Sequence, residues 1–168
     1  MTTKQDDKKT NGEHHGHGLS TFKAITYRKR VIEKITMDAD GLVFMHIYTF
    51  DQDRRVEIKA RFQNPFIMSN IIRFIWFGLR QDFLGETEEE QLQNLKYMWA
   101  LAGAATFCSL DKQSEIKVQV DRFGGMACNR KFLAILSAMD DLTDDELEEL
   151  RRFLRYVLLV GPTQAPSS

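Results

Sequence analysis

Cysteine, proline and histidine are all scarce in this chain, and their scarcity closes off several classes of function. The two cysteines, Cys108 and Cys128, have no CxxC spacing, so neither a zinc ribbon nor a disulfide-built scaffold is expected. They read as free thiols, buried or half-buried as small apolar groups, in a reducing, cytoplasmic compartment. The four histidines, His14, His15, His17 and His46, leave a reactive cysteine without an evident base. Three of them lie in "HHGHG", a Gly-rich tether with no preset geometry for a metal, and no metal or other cofactor is expected. His46, amid apolar neighbours, reads as a satisfied core or rim residue. GxSxG, HExxH, Walker and GxGxxG patterns are all missing, so the chain reads as non-enzymatic. Long apolar runs are missing too. "FIMSNIIRFIWFGLRQDFL" is broken by Arg73, Arg80 and Asp82, short of the ~20 apolar residues a membrane span needs. No signal peptide is expected, because residues 1–18 are polar after Met1.

What is present suits one domain with a core of its own. Of 168 residues 43% are hydrophobic, with twelve Phe and two Trp, enough for a core without staples. The domain is expected over 19–161, between disordered tails at 1–18 and 162–168. A net charge of −1 conceals a split. Residues 19–80 hold eleven Lys/Arg against six Asp/Glu, whereas residues 81–168 hold nine against fifteen. A basic first half can attract phosphate while an acidic second half aids solubility.

Hydrophobic patterning predicts an α+β fold: a three-stranded antiparallel meander with about four helices. "TFKAITYRKRVIEKITM" is rich in β-branched residues and reads as the first strand, with a helical turn or two as the alternative. "LVFMHIYTF" is apolar on both parities and reads as a covered central strand. "DADG" and "DQD" are the turns between strands. Pro65 then starts an apolar helix over 66–83. Thr87 with Glu90, and Thr143 with Glu146, make capping boxes for two later helices. A helix near 128–138 lies between those two, and Gly161-Pro162 is expected to end the last. "EIKVQV" at 115–120 reads as a short strand, so the order of elements also fits two strand-helix-helix units. The acidic runs "ETEEE" and "DDLTDDELEE" complement helix dipoles and are not read as catalytic carboxylates. "DRFGGM" at 121–126 reads as a strand-to-helix turn.

The stretch "RRVEIKARF" (54–62) alternates Arg55, Glu57, Lys59 and Arg61 on one parity with Val56, Ile58, Ala60 and Phe62 on the other. A strand with outward cations, a Pro-started helix, a Gly turn and a capped second helix resemble the ribbon-helix-helix family of DNA-binding proteins. The resemblance spans about residues 54–106 and rests on element order. It implies that Arg55, Glu57, Lys59 and Arg61 read base edges in the major groove of DNA, and that the chain is a homodimer. Arg28, Lys29 and Arg30 in "YRKR" would add phosphate contacts. The leading expectation is therefore a DNA-binding regulator that uses a basic strand face. Two other readings stay open. Outward Lys and Arg also protect a strand edge from aggregation, and the wide apolar helix 66–84 suits a protein-interaction or assembly module.

Residues 1–18 place no side chain in the expected core. Deleting them should leave the melting temperature within about two degrees of the parent's, since surface changes shift stability little. A large drop in a thermal scan would show that this segment docks.

Overall fold

The computed structural model describes residues 16–37, 41–114 and 125–164. The fold is mostly helical, not a three-stranded sheet with helices added. In chain order come α1 (Gly16–Met37), a 3-10 turn (Val43–Met45), β1 (Ile47–Phe50), β2 (Val56–Ala60) and α2 (Pro65–Ile72). A π-helical turn (Arg73–Phe77) and a 3-10 turn (Gln81–Leu84) lead to α3 (Glu88–Ser114), followed by α4 (Gly125–Asp140) and α5 (Asp144–Gln164). The predicted strand "EIKVQV" lies outside the described residues, as do most of "DADG", most of "DRFGGM" and residues 1–15.

The first predicted strand is the helix α1, and the reason lies in its contacts. Ile32 and Ile35, three apart, are buried together, a spacing that puts both on one side of a helix. That side packs on α3 and on the 3-10 turn. The β-branched Thr36 is accommodated because its hydroxyl donates back to the Ile32 carbonyl at 2.8 Å.

The second predicted strand is only half a strand. Leu42 to His46 are all buried, with Val43–Met45 coiled into a 3-10 turn. Apolar residues on both parities asked for cover on every side, and helices supply it where a sheet was expected. Only Ile47–Phe50 pairs, antiparallel to β2, with the register slipping beside Lys59. Burial alternates along β2, with Glu57 and Lys59 outward. Among the described residues the sheet has two strands.

The apolar run after Asn64 is three elements. Asn64 caps α2, its side chain accepting from the Phe66 amide at 2.8 Å, and Pro65 occupies the first turn. Past Ile72 the helix widens into the π turn, where Gly78 N–H donates to the Arg73 carbonyl at 3.0 Å. The widening lets two successive residues, Ile75 and Trp76, both face inward. Leu79 then takes a left-handed conformation, φ 52°, and reverses the chain.

The core is assembled around α3. Leu95, Trp99, Ala100 and Ala104 are buried along it, and α1, α2, α4, α5 and the 3-10 turn before it all pack on it. At Gly103 the neighbours come closest: an added Cβ would lie 2.3 Å from Met45 Sδ and 3.0 Å from Ile135 Cδ1. α4 runs antiparallel to α3, with Lys131 4.1 Å from the centre of the Phe107 ring and Lys96 paired to Asp140 at the opposite end. This register corrects the expectation of two free thiols. It brings Cys108 and Cys128 to a Cα separation of 6.2 Å, and they form a disulfide.

α5 starts where its capping box predicts, with Thr143 N–H donating to Glu146 Oε2 at 3.0 Å. It does not stop at Gly161-Pro162 but continues to Gln164. Gly161 is held there by Trp76, since a Cβ would lie 2.5 Å from three ring atoms. In an exposed helix Gly→Ala adds up to ~1 kcal/mol, so the sign of a substitution here is informative. Gly161→Ala is expected to lower stability by about 1–3 kcal/mol through overpacking, read from the urea midpoint. A neutral or stabilising result would mean that Trp76 is not seated on Gly161.

Candidate functional site

Four surfaces are candidates for a functional role: the β2 face, the cations of α1, the apolar face of α2 with α3, and a cleft between α3 and α5. The structure treats them differently.

Glu57 and Lys59 project from the outward face of β2, but they pair with each other at 2.6 Å. Arg61, just past the strand end, bonds Glu146 at 2.9 Å. Arg55 lies in the hairpin loop, where its backbone N–H donates to Asp51 Oδ1 at 2.6 Å. The predicted reading face thus contains internal ion pairs and ties the hairpin to the start of α5. The loop also needs a left-handed Arg54, φ 61°. Buried behind the hairpin, His46 accepts the Phe62 amide proton on Nδ1 at 2.9 Å and meets the Phe62 ring edge-on. That role is structural.

Arg28, Lys29 and Arg30 are on a helix and not on a strand, so they do not join the β2 residues on one sheet. Lys29 is 3.8 Å from Glu33. Arg28 and Arg30 are exposed and make no ion pair among the described residues.

A cleft of about 600 Å³ runs between the first half of α3 and α5. Its floor is Leu92, Met139, Leu150 and Leu154, but ion pairs bridge its rim: Arg155 to Glu88 at 2.8 Å, and Lys96 to Asp140. Three acids and three bases on its walls balance in formal charge, so the cleft favours neither sign of ligand.

The fourth candidate is different in kind. α2 buries Ile67, Ile71 and Ile72 and turns Phe66 and Asn70 outward. Alongside, α3 presents Leu101, Ala102, Ala105 and Ser109. Between them runs an open groove of about 460 Å³, lined also by Phe74. Phe66 is 61% exposed and Leu101 60%, a large apolar area to leave in water at this spacing. No charged side chain is among the described residues that line the groove. The Thr106 and Ser109 hydroxyls donate back to Ala102 and Ala105 carbonyls at 2.8 and 2.9 Å, so neither offers a donor outward. The apolar breadth of α2 was legible in its sequence, whereas no pattern in α3 singled out Ala102 and Ala105. Their meeting in one groove depends on the α2–α3 packing, which no local pattern specifies.

No group of three or more potential metal ligands occurs among the described residues, and no helix there is long and apolar enough to cross a membrane. The chain matches no protein-family model, no curated protein and no solved structure.

The capping carboxylate Glu146 sets a pH dependence. Its pKa is held below the usual carboxylate value first by the Thr143 backbone amide, then by the Thr143 hydroxyl, with Arg61 adding a smaller pull. A depressed folded-state pKa contributes stability above the unfolded-state pKa that is lost as pH falls through the folded one. Thr143→Ala should therefore cost about 1 kcal/mol at neutral pH. The difference between variant and parent should shrink on acidification below the ordinary carboxylate pKa. Urea midpoints across that range would show it, and a gap constant with pH would mean that Glu146 does not act through this cap.

Proposed function

We propose that this chain is a non-enzymatic assembly module whose α2–α3 groove takes the same face of a second copy. The carrying observation is that one continuous surface holds both protrusions and a hollow. Phe66 and Leu101 stand out from it, while Ala102 and Ala105 recede. A face of that kind is self-complementary about a two-fold axis, with each copy's large side chains entering the other's hollow. The small residues would let α3 approach its mate closely. With no charge in the lining, two identical copies meet there without like-charge repulsion. Burying one large apolar side chain fully contributes about 1.5–3 kcal/mol, so a few per copy supply a useful association energy against its entropic cost.

The alternative taken from the ribbon-helix-helix resemblance, a DNA-reading β2 face, has less support. Lys59 and Arg61 already have carboxylate partners, and β2 pairs with β1 of its own chain.

The test is solution mass. Light scattering at micromolar concentration should report a dimer for the parent, and Leu101→Glu or Ala105→Glu should give a monomer with unchanged helical circular dichroism. Both positions are exposed, so folding should tolerate the charge. A parent that is monomeric throughout that range, or variants that remain dimeric, would exclude this groove as the interface.

A further inference from the structure

The five cations of α1 take no part in the assembly groove. Lys23, Arg28, Lys29, Arg30 and Lys34 face a single acid, Glu33, within one helix. The helix is anchored through Ile32 and Ile35 near its C-terminal end, whereas Lys23, Ala24, Ile25, Tyr27, Arg28 and Arg30 before them are exposed. Its charged first part therefore projects into solvent from a docked base.

Helical spacing then sorts the side chains. Lys23, Tyr27, Arg30 and Lys34 follow steps of four, three and four, which puts them on one stripe. At 1.5 Å per residue, that stripe is roughly 16 Å long. Arg28 lies off this stripe, four residues before Ile32 on the docked side of the helix, and Lys23 and Arg30 make no ion pair among the described residues. Tyr27 is 68% exposed in the midst of these cations. A tyrosine ring so placed gains nothing from the core.

We infer that the outer stripe of α1 is a binding site for single-stranded nucleic acid, with cations on successive phosphates and Tyr27 under an unstacked base. An aromatic ring among cations is the arrangement that single strands use, since every base has a face to stack. A duplex would take the cations and leave the ring idle. An anionic membrane surface fits less well. A helix lying on a bilayer needs an apolar stripe to insert, and here Ile32 and Ile35 already serve the protein core. This site is separate from the proposed dimer face, and it replaces the β2 face as the home of any phosphate contact.

Fluorescence anisotropy of the full chain with a labelled oligothymidylate about 20 nucleotides long provides the test. Binding is expected at ~50 mM salt, weakening steeply towards ~200 mM. Lys23→Gln with Arg30→Gln should weaken it about tenfold and flatten the log–log salt slope by about 1.4, at ~0.7 per phosphate contact on a single strand. Tyr27→Ala should weaken the single strand about tenfold and leave a duplex of equal length unaffected, with Tyr27→Phe restoring affinity. Arg152→Gln, on the exposed side of α5, should change nothing. The inference is overturned if the parent does not bind at low salt, or if the α1 variants bind like the parent. It is equally overturned if phosphatidylserine vesicles compete as well as the oligonucleotide does, which would make α1 a membrane contact.

Discussion

The structure depends on how closely its neighbours can approach α3 at Gly103. Met45 and Ile135 meet the helix backbone there from the buried 3-10 turn and from α4. A glycine at this point lets the turn sit directly on the helix. That seating carries the hairpin, because Met45 is followed at once by His46 and then by β1. His46 accepts from Phe62 just past the end of β2, and Asn64 N–H donates to the Met45 carbonyl at 3.2 Å. The hairpin therefore opens and closes on the same buried anchor. The small sheet persists because both of its ends are fastened to helices, since an isolated two-stranded hairpin is marginal in water.

Legibility in the sequence followed the range of the interactions. The capping boxes at Thr87–Glu90 and Thr143–Glu146 are local, and the structure forms both: Thr87 N–H donates to Glu90 Oε2 at 3.0 Å and Thr143 N–H to Glu146 Oε2. The alternation in "VEIKA" is equally local and appears as alternating burial in β2. What failed needed partners distant in sequence. The β-branched residues of "TFKAITYRKRVIEKITM" favoured a strand, but packing of Ile32 and Ile35 on α3 overrides a propensity worth only tenths of a kcal/mol per residue. The run "LVFMH" announced deep burial but not what would bury it. The disulfide follows from the antiparallel α3–α4 register, which spacing alone does not reveal. The groove was half legible: its apolar residues on α2 were evident, while the helix pairing that sets them beside α3 was not.

Charge follows a related logic. The basic first half and acidic second half do not remain separate surfaces everywhere, because Arg61 from one meets Glu146 from the other. Exposed pairs of this kind contribute little individually, but this one joins the hairpin exit to the first turn of α5. Arg28 and Arg30 make no ion pair among the described residues. Arg73 and Arg80, on the body itself, likewise make no ion pair among the described residues, and Arg80 lies over the Phe74 and Phe83 rings instead.

The bond between Cys108 and Cys128 changes what counts as one molecule. The bridge spans 20 residues of sequence and makes that stretch a covalent ring with two long arms, one leading back to α1 and the other forward to α5. A single peptide cleavage inside the ring opens it without parting the arms. Both fragments stay in one particle until a reductant arrives, so the chain's integrity in an oxidising medium does not depend on an unbroken backbone there.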